Sequence, residues 1–191
     1  HWKMRVMMWR TTWAAIQARP FGGGAGNWRV LYPQYLADAD RTDNDHFTIA
    51  KQPVRAHNDF LQFASEYGIV GGLALIALLL VATWLTLQAV VLSRQGSLLG
   101  HDPVHWAAWG ALAGWAGLVG IAGDALLSFP LQLPSPTFLF MLHLGLIGAC
   151  HAYIARVDAN QAADPTAAPP QVLQAADVYK LPTAALIVVL L

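Results

Sequence analysis

The sequence predicts an all-α fold, a polytopic helical membrane bundle preceded by a large, partly helical extramembrane loop. Three observations carry that prediction. Of 191 residues, 56% are hydrophobic and only 12% charged, with mean hydropathy +0.43; soluble domains carry about 25% charged residues. Apolar runs of spanning length occur at Ile69–Leu92, His105–Leu127 and Thr137–Ile154. Finally, four of the eight tryptophans (Trp2, Trp9, Trp13 and Trp28) precede the first run, where anchoring at a membrane interface would put them. Zero net charge argues against a nucleic-acid binder working by bulk electrostatics. The single cysteine, Cys150, can form neither an internal disulfide nor a multi-cysteine metal site.

This divides the chain into residues 1–67, a loop with amphipathic helices and the candidate site residues; 68–155, three membrane spans; 156–182, an Ala/Pro/Gln-rich linker; and 183–191, the start of a further span. A chain that begins at His1 and stops inside an apolar run is expected to be a C-terminal piece of a longer polytopic protein, with more membrane helices on both sides.

Trp2–Arg19 reads as an amphipathic helix with Trp2, Val6, Trp9, Trp13 and Ile16 on one face, bounded by Pro20. Arg5 lies at the edge of that face, either snorkelling at a membrane interface or meeting an anionic group of a lipid-borne substrate. Pro20–Asn27 (PFGGGAGN) is a flexible turn. It lacks the lysine and hydroxyl residue of a phosphate loop and the strand–turn–helix context of a dinucleotide site, so nucleotide binding is not expected. In Trp28–Val54 the cluster Asp38, Asp40, Asp43 and Asp45 with His46 matches no calcium-loop spacing and reads as solvated loop.

Asn58–Tyr67 is expected to be helical, with Phe60, Leu61, Ala64 and Tyr67 on one stripe and Asp59 in the first turn. His57 then sits at or just before the helix N-terminus, whose dipole disfavours imidazolium. A neutral imidazole is what a general base needs, although a lone histidine is more often structural. In the second span, Gly110, Gly114, Gly117, Gly120 and Gly123 favour close helix packing, and Asp124 lies near the far end. Ser128–Pro136, with three prolines, is expected to interrupt helical structure. Alternating spans put the segment before Gly68 and Ser128–Pro136 on one membrane face, with Arg94 and Arg156 on the other. Eight of the eleven Lys and Arg residues precede His57. That bias suggests a cytoplasmic loop by charge alone, but the rule weakens for loops of about 60 residues, and the same cations suit work on an anionic substrate.

Three stretches together resemble the O-antigen ligase and O-antigen polymerase superfamily of integral membrane glycosyltransferases. His57-Asn58, nine residues, Gly68, two residues, Gly71 is similar to the family's histidine motif at the end of its large periplasmic loop. Arg5 with Trp9, then Arg19-Pro20-Phe21-Gly22 and Gly24-Ala25-Gly26-Asn27, resembles its arginine helix and proline–glycine turn. Ser128–Pro134 resembles the proline-containing loop between its late helices. The resemblance covers roughly residues 5–155.

It implies a bacterial inner-membrane, multi-pass enzyme with its site facing the periplasm. Such an enzyme moves a glycan from an undecaprenyl-diphosphate carrier to an acceptor hydroxyl on lipid A core, glycan or protein, without cofactor, metal or nucleotide donor. The resemblance makes His57 the candidate base and Arg5 a candidate diphosphate contact; Asn58 would orient His57 or bind substrate. Arg55 and Arg10 are nominated from charge and proximity alone. Further basic residues upstream belong to the family pattern, so this stretch alone is expected to be inactive. Two readings from other classes compete: a transporter segment with His57, Asp124 and His143 as a proton path, and a scaffold presenting a soluble domain after Arg156.

Overall fold

The computed structural model describes residues 2–36, 53–93 and 103–164. All regular structure among them is helical: α1 (Trp2–Ala18), α2 (Trp28–Tyr35), α3 (Asp59–Ser93), α4 (Pro103–Ala125) and α5 (Pro134–Ala163), with a 3-10 turn at Pro130–Gln132. Helices α3, α4 and α5 are long and apolar enough to cross a membrane, which gives the all-α, helical membrane fold the sequence predicts. The acidic cluster with His46, the Arg94 loop and residues 165–191 lie outside the described residues. The chain forms two compact units, His1–Leu79 with Gly120–Thr137, and Leu80–Val119 with Phe138–Leu191.

In the first unit α1 packs on α2 around Met7, Met8, Trp28, Tyr32, Leu36 and Ala56. Trp28 stacks on Tyr32 at 4.8 Å, and its indole N–H donates to Thr12 Oγ1 at 2.9 Å. The buried face of α1 is therefore Met7, Met8, Thr11, Thr12, Ala15 and Ile16. Of the stripe expected from the sequence only Ile16 is buried, and Trp2 and Trp13 are 61% and 54% exposed. The physical reason is volume. α2 brings Trp28 and Tyr32 to this contact, so α1 meets them mainly with slimmer side chains; Trp9 packs at the edge of the cluster, while Trp2 and Trp13 turn outward, where a membrane interface suits them.

Asn58 caps α3, its Oδ1 accepting the Leu61 N–H at 3.0 Å. The helix is broken at Gly68 (φ 79°, ψ 176°), so Asp59–Tyr67 is a separate short helical segment and the uninterrupted apolar run begins at Ile69. In this short piece the structure corrects the expected stripe: the polar residues Asp59, Gln62, Ser65 and Glu66 are buried, while Tyr67 is exposed and Phe60, Leu61 and Ala64 are half-buried. The glycine turn explains the reversal. Gly23 N–H donates to Ser65 O, Gly24 N–H to Glu66 O and Ile69 N–H to Pro20 O, each at 2.9 Å. Backbone meets backbone here, and polar side chains follow it inward. A Cβ on Gly22 would stand 2.5 Å from Gly68 N, and one on Gly68 would stand 2.7 Å from the Phe21 carbonyl carbon. Neither position tolerates a side chain.

The proline-rich connection is shorter than expected. Only Pro130 sits in the interruption; Pro134 and Pro136 open α5 instead. In a first helical turn the missing N–H has no partner to lose, so proline fits. At its other end α5 continues past Arg156 to Ala163, into the stretch read as linker.

In the second unit three glycines of α4 meet α5. A Cβ on Gly110 would stand 3.0 Å from Cys150 Sγ, and one on Gly114 3.1 Å from Ile147 Cγ1, while the His143 ring occupies the place of a Gly117 side chain. This is close helix packing of the kind small residues permit. Gly120 and Gly123 take no part: a Cβ on either would meet nothing beyond its own helix within 4 Å among the described residues. Trp115 donates to Thr83 Oγ1 at 3.0 Å, and His151 Nε2 lies 3.0 Å from Gln88 Oε1.

Gly68→Ala should be costly. Its backbone region is nearly closed to other residues, a strain of about 1–3 kcal/mol, and the forced contact with Pro20–Phe21 adds about 1–3 kcal/mol of overpacking. A large fall in melting temperature in detergent is expected, whereas Gly120→Ala, into open space on a helix, should leave it unchanged or higher.

Candidate functional site

The site is built where the segment Pro53–Asn58 crosses α1 and meets the connection after α4. Ala56 is fully buried, and its peptide is held from two sides: Trp9 Nε1 donates to its carbonyl at 3.1 Å, and its N–H donates to Gln62 Oε1 at 3.1 Å. His57 follows directly with φ 53°, a left-handed conformation uncommon for a residue with a side chain. That backbone turn projects the imidazole into a cavity of about 390 Å³ lined by Met4, Arg5, Met8 and His57. The ring also stands edge-on to Phe129, 5.0 Å between centroids.

The structure thus brings together two of the residues singled out from the sequence, Arg5 and His57. It also gives the imidazole a defined electrostatic state. Burial lowers the His57 pKa from 6.5, and the positive charge of Arg5 lowers it further. A neutral ring at physiological pH is the outcome expected from the sequence, but burial and Arg5 are its causes.

The other nominated residues are arranged differently. Asn58 has both ends of its amide engaged, Oδ1 by the Leu61 N–H and Nδ2 with the Leu126 carbonyl at 3.1 Å. Arg55 donates to Gln132 Oε1 at 3.3 Å and lies over the Phe129 ring, 5.1 Å from its centroid. Both fasten the histidine turn to Leu126–Gln132, the connection that alternating spans put on the same membrane face. Arg10 is exposed on α1 and does not line the cavity. Among the described residues no group of three His, Cys, Asp or Glu side chains could hold a metal ion.

Sequence reasoning missed the polar stripe beside the histidine. Asp59 is fully buried, and its Oδ2 accepts the Leu131 N–H at 2.8 Å. Burial pushes its pKa up to about 6 against the pull of that hydrogen bond, Arg55 and Gln132, with the Asp124 charge adding to the rise. Gln62 Nε2 donates to Glu66 Oε1 at 3.0 Å, and Glu66 Oε2 accepts the Gly26 N–H at 3.0 Å. The signal was present as Asp59, Gln62 and Glu66 at spacings of three and four, a polar stripe overlooked because the apolar one drew the assignment.

A carboxyl group whose folded pKa is raised stabilises the fold fully only below its unfolded value of 3.8, and that contribution is lost as pH rises through about 6. Asp59→Asn keeps an acceptor for Leu131 and cannot ionise. Thermal melts in detergent should show the variant more stable than the parent at pH 8, with the gap narrowing at pH 5.

No curated protein and no solved structure matches the chain. A family model described as O-antigen ligase matches residues 2–76. That span contains α1, the glycine turn, the histidine turn, Gly68 and the opening of the first membrane run. Over residues 2–76 the chain is therefore similar to the O-antigen ligase family.

Proposed function

We propose that this protein, at the periplasmic face of a bacterial inner membrane, transfers a glycan from an undecaprenyl-diphosphate carrier to an acceptor hydroxyl on lipid A core, an O-antigen chain or a protein. The observation that carries the reading is the shared cavity, with a neutral imidazole and a guanidinium on its wall.

The chemistry needs little more. The acceptor oxygen attacks the anomeric carbon as its proton passes to a ring nitrogen of His57. The bond from that carbon to the diphosphate oxygen breaks, and the diphosphate leaves on the lipid with the bonding electrons. Arg5 meets the charge that develops there, where a planar guanidinium binds phosphate oxygens well. Because a diphosphate is already a good leaving group once its charge is neutralised, the step draws on no cofactor or metal. Arg55 and Asn58 support it by holding the Phe129 loop against the histidine turn. Arg10, exposed one and a half turns beyond Arg5 on α1, serves at most the approach of the anionic carrier.

General-base groups contribute typically about 10²–10⁴-fold. In the intact protein, supplied with undecaprenyl-diphosphate-linked glycan and candidate acceptors, His57→Ala should lower transfer by about that factor at normal membrane abundance. Arg5→Ala should weaken use of the lipid diphosphate. Full activity of His57→Ala would remove the proposed base and with it this mechanism.

A further inference from the structure

We infer that Glu66 and Gln62 are positioning residues for His57, acting through the Ala56 peptide. The inference rests on the transfer reading above but concerns residues to which that reading gives no role.

The hydrogen bonds form one directed chain. Gly26 N–H donates to Glu66 Oε2, Gln62 Nε2 donates to Glu66 Oε1, and Ala56 N–H donates to Gln62 Oε1. Each link constrains the next. A carboxylate accepts at both oxygens, so Glu66 turns the NH₂ end of Gln62 toward itself and leaves the amide oxygen facing Ala56. Ala56 is then gripped at both its N–H and its carbonyl, the latter by Trp9. The residue that follows is His57, in a left-handed conformation that its surroundings must hold. Gln62 and Glu66 are both buried, so water does not readily replace a missing partner. The chain also joins two separate parts of the sequence, since its far end is the glycine turn.

The direction of these bonds makes a specific prediction. Glu66→Gln puts an NH₂ group against either the Gly26 N–H or the Gln62 amide, and one bond is lost. Gln62→Glu sets two carboxylates side by side with no donor between them. The exchange Gln62→Glu with Glu66→Gln restores every link: Glu at 62 accepts from Ala56 and from the new amide, whose oxygen accepts from Gly26.

The test uses the intact protein in lipid nanodiscs. Amide hydrogen exchange at Ala56 reads the geometry without reference to activity, and kcat and KM for transfer read its consequence. Each single variant should lose Ala56 protection and about ten- to a hundredfold in kcat, the scale of a misplaced catalytic group, with KM little changed; the exchanged pair should recover both. The inference is overturned if the singles keep full kcat, or if the pair is as impaired as the singles. His57→Ala run alongside separates the two claims. Its full activity would sink the base assignment, whereas loss of transfer with unaltered single variants would sink only the positioning chain.

Discussion

The site depends on a place where two backbones cross with no room for a side chain on either. Gly22 and Gly68 meet there, and Gly23, Gly24 and Ile69 close the crossing with hydrogen bonds. Three consequences follow. The helix from Asp59 must break before the membrane run begins. The carbonyls freed at that break, Ser65 and Glu66, are satisfied by glycine N–H groups rather than left orphaned. The face of Asp59–Tyr67 that turns toward the crossing must be polar, because it borders backbone rather than an apolar core. The eleven-residue separation of His57 from Gly68 is thereby a structural distance: it is the length of a capped helix that reaches from the glycine crossing to the cavity.

Chemistry then follows from what surrounds the imidazole. His57 sits at the edge of a largely apolar cavity that Arg5 also lines; burial and the Arg5 guanidinium both disfavour its protonation. The same arrangement suits a reaction in which a hydroxyl loses a proton while a diphosphate gains negative charge. Arg55, Asn58 and Asp59 hydrogen-bond the connection after α4, to Gln132, Leu126 and Leu131 respectively, and do not line the cavity. Their work is to keep Phe129 beside the ring.

Much of this was legible in the sequence. Apolar runs of spanning length identify α3, α4 and α5, because hydropathy is a property of the run itself. Asn58 before Asp59 marks the helix start through local capping chemistry, and the PFGGGAGN stretch marks a turn. The meeting of Arg5 with His57 was reached only through resemblance, since nothing local links residues 52 positions apart. Periodicity misjudged the faces of both amphipathic helices. It assumes that large apolar groups point inward, yet Trp2 and Trp13 face out and Gln62 and Glu66 face in. Near a membrane, outside is not simply water, and the rule loses its sign. The three prolines of SFPLQLPSP misled for another reason: composition records how many prolines there are but not that two open a helix.

The most direct test of the central claim is the pH dependence of kcat/KM for transfer, measured on the parent protein and on Arg5→Gln. If His57 is the base and shares the cavity with Arg5, the parent's acid limb lies below 6.5. Removing the guanidinium relieves its repulsion of imidazolium, so the limb should move upward toward 6.5 while activity falls. An acid limb in the same place in both proteins would contradict the shared site.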